Sequence, residues 1–152
     1  MTTLSATQQH IEALSRVFHD PDTAPVVYSF LLRYGRPFTP VKAAETGTQR
    51  LGHCYLNAIK FTGGATRYCE GFAISANLFP MPHAWNTIDG LACTDPTWED
   101  GADYFGVAFT HAFRNDFSSR TGLTSIFEGL YALRGMRKPA ILKYLESGIQ
   151  TF

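Results

Sequence analysis

Arg50-Leu-Gly-His-Cys-Tyr-Leu-Asn57 is followed along the chain by Pro82-His-Ala-Trp-Asn86 and Thr94-Asp-Pro-Thr-Trp98, and these stretches decide the fold. The first has a glycine and a cysteine at the expected start of a helix, where unpaired backbone N–H groups and the helix dipole favour an anion. The other two are short extended segments that carry a histidine and an aspartate. A thiol nucleophile needs a base to take its proton and a carboxylate to orient that base. Cys54, His83 and Asp95 are therefore the candidate catalytic residues.

The motifs, taken in this order, resemble the transglutaminase-like members of the papain-like cysteine protease superfamily. In that group a Gly-x-Cys helix start, a His-Ala-Trp strand and an Asp-Pro-Thr strand recur, often with an aromatic-x-Glu-Gly-aromatic strand such as Tyr68-Cys-Glu-Gly-Phe72. The resemblance covers residues 48–107. It implies an α+β fold with a papain-like, transglutaminase-type core. In such a core an antiparallel sheet packs against helices and the nucleophile lies at a helix N-terminus.

Composition predicts one globular domain over residues 1–152, since 45% of the residues are hydrophobic and only 17% are charged. Thirteen basic and thirteen acidic residues balance, so the chain has no electrostatic footprint for nucleic acid or for an anionic membrane surface. The N-terminal segment lacks the pattern of a signal peptide, and no apolar run reaches the roughly 18 residues of a membrane span. Three cysteines without a Cys-x-x-Cys pair favour a reducing, cytoplasmic location.

Helical flanks are predicted on both sides of the core motifs, over 5–35 and 110–148. Ser5 and Gln8 form a capping box for a first helix, and Thr23 with Pro25 begins a second helix that ends at Gly35. Two prolines and small residues predict a surface loop over 36–47. The other predicted elements are a helix from about 53 to 63, strands over 66–76, 83–87, 91–95 and 104–109, and helices around 110–117, 125–134 and 139–146.

The turn between the histidine and aspartate segments provides a geometric test. A two-residue turn at Asp89-Gly90 would send Asp95 to the opposite face from His83. A three-residue loop, Ile88-Asp89-Gly90, keeps both on one face with Cβ atoms about 4.5–5.5 Å apart, and it needs a left-handed Gly90. That register pairs Thr87 with Leu91, Trp85 with Cys93 and His83 with Asp95. The chemistry of a histidine–aspartate pair therefore selects the three-residue loop.

Further site residues are predicted around the thiol. The backbone N–H of Cys54 is a candidate oxyanion donor because it lies at the helix start. Gln49 is a second candidate, since papain-like enzymes use a glutamine a few residues before the cysteine. Tyr55, Trp85 and Trp98 are candidate substrate-binding residues, although large aromatic side chains beside a hairpin are more often part of the core.

Other arrangements of the site remain open from the sequence. His111 follows the last predicted strand but has no evident carboxylate partner, and Asn86 or Asp103 would be the next residues to orient the base. A zinc site would use Cys54, His83 and Cys93. Those ligand types suit zinc, but closely spaced ligand pairs are lacking, and no acidic cluster typical of calcium occurs. No cofactor and no metal are predicted.

The predicted function is that of a small intracellular cysteine hydrolase, a peptidase or amidase. The resemblance implies that Cys54 forms a thioester with an acyl donor, which would be a peptide, a protein or a small amide. Water then accepts the acyl group. The alternative within the enzymes is a transglutaminase or other acyltransferase that passes the acyl group to an amine. The alternative outside them is a transglutaminase-like domain that serves as a non-catalytic binding module.

Overall fold

A five-stranded sheet with helices on one face carries the candidate site residues. The structure, a computed structural model, describes residues 3–18, 25–41, 51–75 and 79–152. Its elements are α1 (Ala6–Val17), α2 (Val26–Tyr34), β1 (Arg36–Pro40), α3 (Cys54–Lys60), β2 (Arg67–Ser75), β3 (Met81–Thr87), β4 (Ala92–Cys93), β5 (Gly101–Phe109), α4 (His111–Thr121), a 3-10 helix (Leu130–Ala132) and α5 (Lys138–Ser147). Within the described ranges, none of the helices combines the length and the apolar character needed to cross a membrane.

The sheet curls until its two ends meet. The strand order is β3-β2-β5-β1-β4, and the pairs from β3 to β1 are antiparallel. Asn86 of β3 nevertheless pairs with Thr94, which directly follows β4, through N–H···O distances of 2.9 and 2.8 Å. The predicted α+β class with a sheet packed against helices is confirmed at this level. The prediction of a wholly antiparallel sheet was wrong, because β4 runs parallel to β1.

Strand β1 lies in the segment that the sequence predicts to be a loop. The backbone N–H groups of its odd-numbered residues point toward β4. The N–H groups of Thr39 and Val41 donate to the carbonyl oxygens of Leu91 and Cys93 at 2.8 and 2.9 Å. Pro37 comes before the β4 pairing begins, and Pro40 comes after the β5 pairing ends at Phe38. Each proline therefore stands where the strand needs no N–H. The loop prediction was wrong for 36–40, and residues 42–47 are outside the described part of the chain.

The connection between β3 and β4 differs from the predicted three-residue hairpin. Asn86 lies opposite Thr94, where the predicted register gives Ala92, and β4 leaves β3 to pair with β1. Side chains stabilise the longer connection: Thr87 Oγ1 accepts from the N–H of Gly90 at 3.0 Å, and Asp89 Oδ1 accepts from Leu91 and Ala92. The prediction that Gly90 has a positive φ is confirmed, at 77°.

The two faces of the sheet bury two different clusters. The enclosed cluster lies inside the curl and consists of Phe38, Cys69, Ala73, Trp85, Cys93, Tyr104 and Ala108, with Trp98 packed against it. The helix-side cluster joins the outer face to the helices, and its largest members include Phe30, Tyr68, Phe72, Phe105, Phe109, Phe113 and Phe117. Because side chains alternate along a strand, neighbouring residues of β3 point into different clusters.

Candidate active site

His83 and Asp95 form a buried hydrogen-bonded pair. The distance from His83 Nε2 to Asp95 Oδ2 is 2.7 Å, and the two side chains are 1% and 5% exposed. The prediction that they meet on one face is confirmed, although a different connection brings them together. Because Nε2 is taken by the carboxylate, Nδ1 is the ring nitrogen left to exchange a proton with another group.

The carboxylate of Asp95 has four hydrogen-bond partners, one of which is His83. Tyr104 Oη donates to Oδ2 at 2.6 Å, beside His83, while the backbone N–H groups of Thr97 and Trp98 donate to Oδ1 at 2.8 and 3.0 Å. Burial acts to raise the pKa of Asp95, but the hydrogen bonds from His83, Tyr104 and the backbone outweigh it and hold the pKa below its usual value. Asp95 therefore stays ionised and suits the orientation of an imidazole and the stabilisation of an imidazolium.

The ring of Trp98 covers the imidazole of His83. Their centroids are 3.7 Å apart and their planes differ by only 10°, so the rings are stacked face to face. Trp98 itself remains partly exposed. Trp85 has no exposed surface and packs edge-on against Phe38 and Tyr104. The sequence-based assignment of Trp85 to substrate binding is therefore corrected: the ring lies inside the curl, and it is a core residue.

Cys54 begins α3 and lies at the outer edge of β3. Asn86 directs its backbone N–H away from β2 and toward Thr94, so Ala84, two residues earlier, also directs its N–H to that outer edge. The backbone N–H of Ala84 interacts with the Cys54 thiol and lowers its pKa. His83 precedes Ala84 and points into the curl, whereas α3 packs on the other face, where Asn86 Nδ2 donates to Ala58 O at 2.9 Å. The thiol thus lies at the strand edge, beside the backbone of the residue that follows the histidine.

The pKa of the Cys54 thiol differs from the expectation for a helix start. Burial, together with the carboxylates of Glu70 and Asp95, raises this pKa to about 11, although the N–H groups of Ala84 and Tyr55 act to lower it. The helix has only seven residues and no side-chain cap at His53, so its N-terminus does not compensate for the loss of water. Cys54 rests as a neutral thiol and needs a neighbouring base to become a nucleophile.

A buried carboxylate lies behind the thiol, in the strand beside β3. Glu70, the Cα partner of Ala84, accepts hydrogen bonds on both oxygens from Tyr68 Oη, Ser125 Oγ and the N–H groups of Ile126 and Phe127, at 2.5–2.9 Å. This contact replaces the helix predicted over 125–134: the N–H groups that would begin it bind Glu70, and only the 3-10 helix forms. The same segment carries Glu128, whose carboxylate accepts from Oη of Tyr55, the residue after Cys54, at 2.9 Å.

The alternative residues lie elsewhere. Asp103 accepts from the N–H and hydroxyl of Thr7 at 3.1 and 2.8 Å, which fixes the start of α1. His111 contacts Arg67 at 2.7 Å. Gln49 is outside the described residues. No group of three or more histidine, cysteine, aspartate or glutamate side chains in the described part of the chain could hold a metal ion.

Sequence reasoning missed three residues that contact the candidate site, Tyr104, Thr97 and Asn57. Tyr104 was assigned only to a strand, and the signal for its role is weak, because it depends on the curl that brings β5 under Asp95. Thr97 belongs to the Asp-Pro-Thr motif, and its hydroxyl accepts from Asn57 Nδ2 of α3 at 2.9 Å. Asn57 follows Cys54 by one helical turn, a spacing that could have indicated it.

Comparisons with protein-family models, with curated proteins and with solved structures found no match for this chain. The resemblance to transglutaminase-like proteases therefore rests on the motifs of the sequence alone.

Proposed function

We propose that this chain is a cysteine hydrolase with a papain-like, transglutaminase-type core that cleaves amide bonds through a thioester on Cys54. The observation that carries the proposal is the buried His83–Asp95 pair, 2.7 Å long. The backbone N–H of the residue after this histidine, Ala84, interacts with the Cys54 thiol and lowers its pKa. Three free thiols are present, which suits a reducing compartment such as the cytoplasm. Cys54 is the one that keeps exposed surface; Cys69 and Cys93 are buried.

The reaction would use the imidazole as a proton carrier. His83 Nδ1 takes the proton of the Cys54 thiol as the sulfur attacks the carbonyl carbon, so that a C–S bond forms. The C–N bond then breaks, and the leaving amine takes the proton from the imidazolium. Water attacks the thioester while His83 accepts one of its protons, the C–O bond replaces the C–S bond, and the proton returns to sulfur. Asp95 orients the ring and stabilises its charged form without itself being protonated.

The raised pKa of Cys54 gives His83 a definite role. A thiol with a pKa of about 11 contributes little thiolate at neutral pH on its own. Proton transfer to the imidazole in step with attack removes that obstacle, because the charge then forms inside a site already built to stabilise an imidazolium. The buried Asp95 and the stacked Trp98 ring both support this arrangement.

The same pKa is the observation that favours the second candidate, a non-catalytic binding domain. A neutral, partly buried thiol without a functioning base would be an inert cysteine. In that case the His83–Asp95 pair would serve only to fasten the segment after β4 to β3. The two candidates differ in one measurable property, which is whether the reactivity of Cys54 depends on His83.

Trapping an acyl-enzyme tests the proposal. The protein is incubated with a library of glutaminyl and peptidyl amides and esters, and its intact mass is followed before and after neutral hydroxylamine, which cleaves thioesters. We expect an acyl adduct that maps to Cys54 and is absent in Cys54→Ala. Adding a primary amine separates the activities, since a hydrolase releases the acid and an acyltransferase releases the amide.

Iodoacetamide labelling provides the control for the thiol itself. We expect Cys54 to react faster than Cys69 and Cys93 near neutral pH, and His83→Gln to slow that reaction. Labelling of Cys54 that is unchanged by His83→Gln, together with no acyl adduct from any donor, would favour the binding domain.

A further inference from the structure

A chain of hydrogen bonds joins the helix of the thiol to the carboxylate that orients the imidazole. Asn57 Nδ2 donates to Thr97 Oγ1 at 2.9 Å, across 40 residues of sequence. The N–H of Thr97 donates to Asp95 Oδ1 at 2.8 Å, and Asp95 Oδ2 contacts His83 Nε2 at 2.7 Å. Asn57 and Thr97 are only 7% and 1% exposed, so water does not compete with these contacts.

We propose that Asn57 and Thr97 are positioning residues that fix the distance between the Cys54 thiol and the His83 imidazole. This inference rests on the proposed function and deepens it. Thr97 holds both parts at once, because its backbone N–H binds the orienting carboxylate while its hydroxyl binds the nucleophile helix.

A hydrogen bond fixes the position of α3 more closely than apolar packing does. The thiol and the imidazole come from different elements, α3 and β3, on different faces of one strand. Apolar packing in the helix-side cluster, to which Ala58 of α3 and Ala84 of β3 both belong, is non-directional. The hydrogen bond from Asn86 Nδ2 to Ala58 O joins α3 to β3, whereas the bond from Asn57 joins α3 to the segment that binds Asp95. A hydrogen bond between two buried side chains weakens steeply with distance and angle, so it fixes the helix along and around its axis. Asn57 lies one turn from Cys54, so this restraint acts directly on the position of the sulfur.

The test changes only the hydroxyl of Thr97. Thr97→Val keeps the shape of the side chain and the backbone N–H that binds Asp95, but it removes the acceptor for Asn57. Thr97→Ser keeps the acceptor and should restore wild-type behaviour. Thr121→Val, at the end of α4, removes a threonine hydroxyl that caps a helix away from the site and is the matched control.

The measured quantity is the rate constant for iodoacetamide labelling of Cys54 between about pH 5 and pH 10, compared in each variant with and without His83→Gln. We expect Thr97→Val to slow labelling near neutral pH by about tenfold, the effect of one hydrogen bond. The pH profile should shift toward that of His83→Gln, while Thr97→Ser and Thr121→Val match the wild type. Where substrate turnover is found, kcat should fall and KM should change little.

The outcomes separate this inference from the proposed function. If His83→Gln leaves the reactivity of Cys54 unchanged in the wild-type background, the proposed function fails. If His83→Gln lowers it but Thr97→Val behaves as wild type, the proposed function stands and the positioning role is wrong. Should Thr97→Val unfold, Asn57→Leu/Thr97→Val replaces both polar partners by apolar ones, which is close to neutral for stability, and the same comparison is made in that variant.

Discussion

The imidazole of His83 has its position and tautomer set by groups on three sides. Asp95 binds Nε2, Trp98 covers one ring face, and Trp85 and Tyr104 lie 6.4 and 6.2 Å away inside the curl. A carboxylate that accepts from Nε2 requires the hydrogen there, so the neutral ring has an unprotonated Nδ1. That form can accept a proton from a thiol. This tautomer is the one that the proposed role of His83 as a general base requires.

Replacing Asp95 by asparagine should change how stability depends on pH. The folded-state pKa of Asp95 lies below its ordinary value of 3.8. Its ionised form therefore stabilises the fold at pH values above the unfolded pKa, and this contribution is lost as pH falls through the lower folded pKa. Denaturant titrations at about pH 7 and about pH 3 should show a smaller acid loss of unfolding free energy in Asp95→Asn than in the wild type. Equal losses would mean that the carboxylate is not stabilised by the fold.

The same substitution affects the chemistry in a different way. Asparagine has the size to stay in place, but it is uncharged and cannot stabilise an imidazolium. Any turnover should therefore fall to a small remainder rather than vanish. Tyr104→Phe is a useful companion, since it removes one donor to Asp95 Oδ2 and leaves the carboxylate charged. In Tyr104→Phe, the acid-dependent loss of unfolding free energy should begin at a higher pH than in the wild type. Turnover should not be abolished.

At the scale of elements, Glu70 joins β2 to the segment before the 3-10 helix. Burial raises the pKa of the Glu70 carboxyl, although the hydrogen bonds donated by its four partners act to lower that pKa. The two backbone N–H groups can only donate, so both carboxylate oxygens are needed as acceptors. A side chain with one acceptor oxygen and an NH₂ group cannot satisfy this arrangement.

Glu70→Gln should therefore be strongly destabilising. We expect a loss of about 2 to 4 kcal/mol in unfolding free energy, since at least one buried N–H group loses its acceptor and a new donor faces donors. Glu128→Gln is the matched control, because this exposed carboxylate accepts a single bond from Tyr55; its effect should stay within about 0.5 kcal/mol. Similar losses in both variants, measured by denaturant titration, would contradict the role given to Glu70.

The loop after β3 allows backbone strain to be separated from crowding. Gly90 has φ 77° and a Cβ built there meets the ring of Phe152, whereas Gly122 has φ 70° with nothing within 4 Å. Gly122→Val should lower the free energy of unfolding by the backbone strain alone, about 1 to 3 kcal/mol. Gly90→Val should lower it by more. Phe152→Ala should reduce the excess at Gly90 and leave Gly122→Val unchanged. Equal losses of stability at both glycines, measured by thermal or chemical unfolding, would mean that Phe152 does not crowd a side chain at position 90.

Local signals predicted local elements well. The capping box of Ser5 and Gln8 has both of its hydrogen bonds, and α1 begins where they place it. The face shared by His83 and Asp95 followed from the alternation of side chains along strands. What could not be predicted depends on partners distant in sequence: β1 exists because β4 and β5 bind it on two sides. The segment at 125–128 binds a carboxylate that comes 55 to 57 residues earlier instead of forming a helix.

At the scale of the whole molecule, the sheet joins the two hydrophobic clusters. Strands β2, β3 and β5 contribute alternate residues to both, so neither cluster can form without the strands of the other. The site lies where this shared sheet ends, between the edge of β3 and the segment after β4. The proposed catalytic groups and the core residues consequently lie only a residue or two apart, and substitutions must be chosen so that function and folding are tested separately.

Two cysteine variants make that separation. Cys54→Ala removes a partly exposed sulfur at the sheet edge, so unfolding free energy should change by less than about 1 kcal/mol while acyl-enzyme formation and turnover are abolished. Cys69→Ala removes a fully buried sulfur from the enclosed cluster. It should cost roughly 1 to 3 kcal/mol through the cavity it leaves and keep activity. His83→Ala cannot serve alone, because it both removes the proposed base and takes from the buried Asp95 one of its four hydrogen-bond donors. Turnover that survives Cys54→Ala, in a protein whose unfolding is unchanged, would mean that the nucleophile is another group. Loss of turnover in both cysteine variants, with unfolding free energy lowered in both, would mean that Cys54 acts through packing rather than through its sulfur.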